Sequence, residues 1–150
     1  MHTILQLTDA HLSPRNEFFR SNVALIHALA AATPPDLTVA SGDLSLDGAD
    51  YEADMAFAAE ELGRFPGPIL ALPGNHDTGS HPHTMPRQPF DGTRLARFQR
   101  HLGAGFGLHD LPGWRVIGLN SEVMGTGHPE EDAQARFISE ALEGAEARRL

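Results

Sequence analysis

The stretch ILALPGNHDTG, residues 69–79, places polar side chains directly after a run of strand-forming apolar residues. The apolar run predicts a buried β-strand, and Pro73-Gly74 predicts the turn that ends it. Asn75, His76 and Asp77 follow at once. Amide oxygen, imidazole and carboxylate are groups that bind metal ions or move protons. The stretch therefore predicts a sheet strand that carries functional side chains at its carboxyl end.

The first half of the chain repeats a strand–helix order. Strands are predicted at about residues 3–8, 36–41 and 67–74, and helices at about 21–32, with Ser21 as N-cap, and 50–62, with Asp50 as N-cap and Gly63 at C′. In the first helix, Val23, Ile26 and Ala30 form the apolar face, with Leu25 and Leu29 beside it. A βαβαβ order predicts an α/β fold with parallel neighbouring strands and right-handed crossovers.

The second half of the chain is less regular. Residues 78–93 contain three prolines and two glycines, which predicts a long surface loop. A short helix at about 94–102 is predicted next, followed by a hairpin whose turn is Pro112-Gly113. The last helix is predicted to begin at Pro129, with an apolar face made of Phe137, Ile138, Ala141, Leu142 and Ala145.

The composition narrows the classes of function. A chain of 150 residues has room for one ordinary core, and the absence of cysteine excludes disulfides and thiolate metal sites. The net charge is −9, and all 11 basic residues are arginine. An acidic chain is a poor candidate for sequence-independent nucleic-acid binding or for anionic membranes. No apolar run approaches the ~20 residues that span a bilayer, and no signal peptide is recognisable, so a cytoplasmic location is expected.

Polar residues also follow the first two strands. Asp9 and His11 come after the first strand, and Asp43 comes after the second. Because ligands bind at the edge where the carboxyl ends of parallel strands meet, we expect these three residues to lie close to Asn75. Oxygen and imidazole donors suit Mn, Fe, Zn, Ni or Co, and a carboxylate can bridge two such ions.

In these motifs the chain resembles the calcineurin-like metallophosphoesterase superfamily. The matching patterns are D-x-H at 9–11, G-D at 42–43 and G-N-H-D at 74–77. LTDAHLS and GNHD look closest to the cyclic-nucleotide phosphodiesterase-like branch. The resemblance is strong from residue 3 to about residue 80, and it continues more weakly through GLNS and the final helix.

The resemblance implies a hydrolase of phosphodiester or phosphomonoester bonds, in which a metal hydroxide attacks phosphorus. Asp9 and His11 would bind the first of two divalent ions, Asp43 would bridge both, and Asn75 would bind the second. His76 would lie beside the phosphorus, stabilise charge and help the leaving group to depart. The partner would be a phosphate-ester small molecule or a nucleotide.

The chain departs from the family pattern in two ways. Leu46 stands where the family often has an acidic residue, and Asp47 comes one position late, so the group that orients His76 is open. The family's later histidine and its G-H-x-H motif have no match after residue 80. We therefore expect residues 1–150 to be one metallophosphoesterase domain without its C-terminal portion. Its fold would be the N-terminal part of a β-sandwich flanked by helices, with an exposed strand edge that favours a homo-oligomer.

Other interpretations remain open. His81 and His83 have H-x-H spacing in the long loop and are candidates for substrate contact. For Asp77, capping or turn support is at least as good an interpretation as catalysis. A catalytically incomplete fragment with a residual metal site is one alternative function. Another is an HD-type metal hydrolase, because His76-Asp77 and His109-Asp110 are His-Asp pairs, although that class places its pair on helices.

Overall fold

A computed structural model describes residues 2–18 and 20–143. The elements follow the predicted order of strands and helices, with one short helix at residues 75–78 that was not predicted. In chain order they are β1 (Ile4–Leu7), α1 (Arg20–Ala32), β2 (Leu37–Ser41), α2 (Glu52–Leu62), β3 (Ile69–Leu72), α3 (Asn75–Thr78), α4 (Gly92–Leu102), β4 (Gly107–Leu111), β5 (Trp114–Gly118) and α5 (Pro129–Glu143).

The three N-terminal strands form one parallel sheet in the order β1-β2-β3. Leu7 pairs with Ala40, and Ala40 pairs with Ala71. Because the strands run in the same direction, all three carboxyl ends lie at one edge, which confirms the α/β prediction. The central strand β2 is the most buried. Of the two edge strands, β1 leaves Ile4 exposed.

Strands β4 and β5 form the predicted antiparallel hairpin. Leu111 pairs with Trp114, so Pro112 and Gly113 are the two-residue connection. Gly113 has φ of 82°, which is the value that a type II turn requires at its third position. The hairpin packs against β3, and a Cβ at Gly118 would overlap the leucine side chains of that strand.

Two of the predicted helix N-caps are wrong. Helix α1 begins at Arg20, so Ser21 lies inside its first turn. Helix α2 begins at Glu52, after a residue that makes no side-chain capping bond. The carboxylate of Asp50 binds the guanidinium of Arg94 instead, at 2.9 Å. The Asp50 carboxylate thus forms an ion pair with an arginine that is distant in sequence, and it does not accept from the first N–H groups of α2.

The boundaries at two glycines also differ from the prediction. Gly63 follows α2, but its φ of −62° is right-handed and not the left-handed value expected of a C′ glycine. Helix α4 begins at Gly92, two residues earlier than predicted, because the Asp91 carboxylate accepts bonds from the N–H groups of Thr93 and Arg94. Asp91 is thus an N-cap that the sequence reading missed.

The main core lies between the parallel sheet and helices α1, α2 and α4. Its buried members are Ala30, Ala40, Leu44, Met55, Leu62, Phe65 and Phe98. Leu25 and Leu29, predicted beside the apolar face of α1, are instead exposed, as is Leu142 on α5. The predicted position Ala145 lies outside the described residues. In the part of the chain that the structure describes, no helix has the length and apolarity needed to cross a membrane.

Candidate metal centre

The loops after β1, β2 and β3 are bonded to one another at the carboxyl edge of the sheet. The N–H of Asp9 donates to the carbonyl of Gly42 at 3.1 Å, and the N–H of Gly42 donates to Leu72 at 3.0 Å. One step further, the N–H of His11 donates to the carbonyl of Asp43 at 2.9 Å. The backbone pairing of the sheet therefore continues into the loops and brings their side chains together.

Three side chains from these loops converge on one point. His11, Asp43 and His76 each present a possible ligand atom, and these atoms lie within 4.8 Å of one another. The two imidazole rings are 4.6 Å apart and nearly perpendicular. The N–H of His76 donates to Asp43 Oδ1 at 3.0 Å, which fixes the position of that carboxylate. All three residues are half-buried.

The other two predicted metal ligands lie beside this cluster. Asp9 Oδ1 is 4.0 Å from His11 Nε2, and the Asp9 side chain is 65% exposed. Thr8 donates its hydroxyl to Asp9 Oδ2 at 2.6 Å. Asn75 is the first residue of α3, immediately before His76, and its Nδ2 lies 4.0 Å from Met85 Sδ.

The backbone at the site is strained. Asp9, His11 and Asp43 have φ values of 53°, 44° and 49°, and they are the non-glycine residues with positive φ in the described ranges. Left-handed backbone costs of order 1–3 kcal/mol at a non-glycine residue and concentrates at functional sites. Three such residues at one sheet edge show that the fold holds these side chains in imposed positions.

Gly74 has a steric role in the cluster. A Cβ at this position would overlap the carboxylate and the backbone nitrogen of Asp43. Gly42 lies against Gly74, with φ of 94°. The two glycines therefore allow the second and third loops to approach until the Asp43 carboxylate lies over the start of α3.

Asp77 is buried beneath the cluster and joins the same two loops. Its Oδ1 accepts bonds from the N–H and the hydroxyl of Ser45, at 2.9 and 2.6 Å. Its Oδ2 accepts from the N–H groups of Leu44 and Gly74, both at 3.0 Å. Burial raises the pKa of the Asp77 carboxyl, and these four bonds oppose the shift. Of the two interpretations, the turn-support role is the one that these contacts describe.

Comparisons with known proteins identify the family of the chain. The sequence model of the calcineurin-like phosphoesterase family matches residues 2–140. The chain belongs to the calcineurin-like phosphoesterase family. A probable cyclic nucleotide phosphodiesterase from Synechococcus sp. is 32% identical over 127 residues, which cover 79% of this chain and 44% of that protein. A purple acid phosphatase from yellow lupin (Lupinus luteus) seeds has a similar fold, with a TM-score of 0.58 and 16% identity.

The chain therefore spans less than half the length of each of these two proteins. The similarity to the lupin enzyme covers 97% of this chain but only 28% of that protein. The similarity to the lupin enzyme supports the fold alone. Membership in the family rests on the family model and on the 32% identical relative.

The structure also shows how this calcineurin-like phosphoesterase orients His76 without an acidic residue at position 46. The backbone carbonyl of Leu46 lies 2.6 Å from His76 Nδ1. Because a carbonyl can only accept, Nδ1 carries the proton in this contact, and Nε2 is left for the site. Asp47 has a different task, since its Oδ1 accepts from Gln88 Nε2 at 2.7 Å. Sequence reading missed the carbonyl because every residue has one.

His81 and His83 contact other parts of the protein. His81 Nε2 lies 3.1 Å from the carbonyl of Gly125, and its Nδ1 accepts from the N–H of His83 at 3.2 Å. The two rings stack at 5.1 Å. Their role in substrate contact stays a prediction, and these bonds join the long loop to the segment before α5.

The second His-Asp pair lies on a strand. His109 and Asp110 belong to β4, and Asp110 forms two bonds to Arg115 across the hairpin, at 2.7 and 2.8 Å. An HD-type hydrolase would place such a pair on a helix beside its metal site. The other pair, His76-Asp77, does lie on a helix, the four-residue α3. The argument against the HD-type alternative is therefore the family match described above.

Proposed function

We propose that the chain is the metal-binding part of a phosphoesterase that hydrolyses phosphodiester or phosphomonoester bonds. The observation that carries the proposal is the convergence of His11, Asp43 and His76 at one sheet edge, with His11 and Asp43 on left-handed backbone. In the proposal, Asp9, His11, Asp43 and Asn75 hold two divalent ions, and His76 acts on the substrate. Cyclic nucleotides are one substrate class, suggested by the name of the Synechococcus relative.

The donor set of this site suits a divalent metal of the Mn, Fe, Zn, Ni or Co group. Two ligands of one ion at about 2.0–2.2 Å are at most roughly 4.4 Å apart. The ligand atoms of His11 and Asp43 lie within 4.8 Å of each other, close to that value, so a small contraction would let both bind one ion. Imidazole and carboxylate donors without thiolate match these borderline metals.

The chemistry divides between the ions and the chain's own side chains. Divalent ions here would act as Lewis acids toward phosphoryl oxygen and would lower the pKa of bound water toward neutrality. Asp43 accepts a hydrogen bond from the N–H of His76, and this bond would hold the loop after β2 in a fixed position relative to α3. His76 is held through Nδ1–H by the Leu46 carbonyl, so its Nε2 faces the reaction. Only a doubly protonated His76 would carry a proton at Nε2, and in that form it would give this proton to the leaving oxygen and keep the one on Nδ1.

A second candidate function is a residual metal site without turnover. It is favoured by the number of donors that converge, because only three carboxylate or imidazole groups cluster in the described ranges, whereas two ions with at least ~4 ligands each want about eight. Water or additional protein ligands would have to supply the rest.

One experiment separates the two candidates. The purified chain is assayed with bis(p-nitrophenyl) phosphate and with p-nitrophenyl phosphate, with added Mn²⁺ and with EDTA, and the metal bound per chain is measured. We expect Mn²⁺-dependent turnover that falls roughly 10²–10⁴-fold in His76→Ala without loss of metal. Asp43→Asn should lose both turnover and metal. Glu140→Gln, on the exposed side of α5, serves as a control that changes neither.

Metal bound without turnover would select the residual-site candidate. Turnover that survives EDTA and Asp43→Asn would contradict both. If His76→Ala strips the metal, His76 is a ligand, and its assignment as proton donor is wrong.

A further inference from the structure

A short turn lies next to the metal cluster and exposes a cation at its tip. The N–H of Gln88 donates to the carbonyl of Met85 at 3.1 Å, which is the bond between the first and fourth residues of a β-turn. Pro86 occupies the second position, where its fixed φ favours the turn. Arg87 is the third residue, and its side chain is exposed.

Both ends of this turn are attached to residues of the site loops. Met85 Sδ lies 4.0 Å from Asn75 Nδ2. Gln88 Nε2 donates to Asp47 Oδ1 at 2.7 Å and to Asp50 Oδ2 at 2.9 Å. Asp47 directly follows the residue whose carbonyl holds His76. The turn is thus held at both ends. Met85 contacts the residue before His76, and Gln88 bonds to the residue after Leu46.

Arg87 differs from most arginines of the chain because no carboxylate neutralises it. Within residues 2–18 and 20–143, the only other arginine without an acidic partner is Arg136, on α5. The arginines that form ion pairs with Asp or Glu are Arg15, Arg20, Arg64, Arg94, Arg97, Arg100 and Arg115. Arg87 is therefore an unneutralised cation on the turn that contacts Asn75 and Asp47.

The turn lines an open cleft of about 510 Å³. Thr84, Gln88 and Arg87 line this cleft, and Asp50 is its acidic member. The Asp50 carboxylate is already engaged, since Arg94 binds Oδ1 at 2.9 Å and Gln88 binds Oδ2. The free positive charge of the cleft is therefore that of Arg87.

We propose that Arg87 is a specificity-determining residue that binds a second anionic group of the substrate. The inference rests on the proposed function, in which the cluster takes the scissile phosphoryl group. A guanidinium binds phosphate oxygens in pairs through its planar fork. With a net charge of −9, the protein as a whole repels anions, so a local unpaired cation has a large effect on which anions remain bound.

The substrate class that fits is a nucleoside diphosphate or another compound with two linked phosphates. The cluster would hold one phosphate, and Arg87 the next. A simple diester has a single phosphate and makes no use of the second subsite. Discrimination then appears as a ratio of affinities between a diphosphate and the matching monophosphate.

The test compares ADP with AMP by isothermal titration calorimetry, with Mn²⁺ in excess over both nucleotides. For the unmodified chain we expect ADP to bind more tightly than AMP. Arg87→Ala should lower the ADP-to-AMP affinity ratio by about tenfold, the effect of losing a charge-assisted hydrogen bond. Arg87→Lys should restore part of the ratio, because it keeps the charge but loses the fork. Arg136→Ala, the matched removal of an unpaired arginine, should leave the ratio unchanged.

The inference is overturned if Arg87→Ala leaves the ratio unchanged, or if Arg136→Ala lowers it as much, since the effect would then be one of net charge. Failure of the proposed function gives a different result. In that case the chain hydrolyses no ester, yet the ratio still depends on Arg87. A chain that hydrolyses esters with a ratio independent of Arg87 keeps its function and loses this subsite.

Discussion

Replacing Asp77 with asparagine tests whether the buried carboxylate holds the two site loops together. Asp77 is fully buried and accepts four hydrogen bonds, two at each oxygen. In Asp77→Asn one oxygen becomes an NH₂ group, and the least costly orientation turns that group toward Ser45. The Ser45 hydroxyl can rotate to accept from it, but the Ser45 N–H loses its acceptor.

The size of the effect follows from these contacts. A buried N–H without an acceptor costs roughly 1–3 kcal/mol, and a hydrogen bond to a charged group is worth about 1.5–3 kcal/mol. Asparagine also removes the cost of burying a charge, which is the effect that raises the pKa of Asp77. We expect a net loss of roughly 2–4 kcal/mol in the free energy of unfolding, a large fraction of the ~5–15 kcal/mol typical of a domain.

The assay is urea unfolding at neutral pH, with midpoint and m-value measured for the parent, Asp77→Asn, Ser45→Ala and the double variant. The cycle should give a coupling of ~0.5–3 kcal/mol, as for residues in one hydrogen-bond network. A change below ~0.5 kcal/mol for Asp77→Asn, with the same m-value, would refute the reasoning. So would an Asp77→Asn chain that unfolds like the parent but has lost turnover, because Asp77 would then act in catalysis.

Two further predictions concern Gly74 and Glu131. Gly74→Ala should push the Asp43 carboxylate aside, weakening Mn²⁺ binding and lowering unfolding free energy by roughly 1–3 kcal/mol. Gly63→Ala, at ordinary φ, should change neither by more than ~1 kcal/mol, and equal effects in both variants would contradict the steric argument. Glu131 accepts hydrogen bonds from the N–H groups of Gly125 and Gly127, and these bonds lower the pKa of its carboxyl below the ordinary 4.5. The carboxylate therefore stabilises the fold above pH 4.5, and this stabilisation is lost as the pH falls through the folded-state pKa. Acid titration of the urea midpoint should be shallower for Glu131→Gln than for the parent or Glu140→Gln, and parallel curves would exclude this role.

The sequence was sufficient for the order of elements in the first half because hydrophobic pattern and chain breaks agree there. Each parallel strand is a short apolar run that ends at a polar residue, and each helix has a buried stripe. The helix starts were predicted less well. Ser21 and Asp50 are good local caps, but tertiary contacts decide such positions, as the pairing of Asp50 with Arg94 shows.

The candidate site was predictable to the extent that its residues are side chains in motifs. Spacing relative to strand ends was enough to place His11 and Asp43 on one edge, where the structure has them. The hydrogen bond that orients His76 was not predictable, because its acceptor is the main-chain carbonyl of Leu46. The leucine side chain at this position instead suggested that the orienting group was missing. The anchors of the long loop, Met85 and Gln88, have no distinctive pattern either. Such contacts depend on how distant loops fold back, which periodicity does not encode.

Strain and support at the metal centre imply that metal binding and folding stabilise each other. Three left-handed residues at ~1–3 kcal/mol each would favour relaxation of the loops if nothing held them. The bonds that oppose relaxation are the buried acceptors of Asp77 and the backbone bonds between Gly42, Asp9 and their neighbours. An ion that binds only the strained arrangement adds RT ln(1 + [M]/Kd) to its stability, about 2.7 kcal/mol at a hundredfold excess over Kd. In a variant that lacks one of these hydrogen bonds, part of the free energy of metal binding goes into re-forming the left-handed loop conformation. Such a variant should therefore bind metal more weakly even when the changed residue is not a ligand.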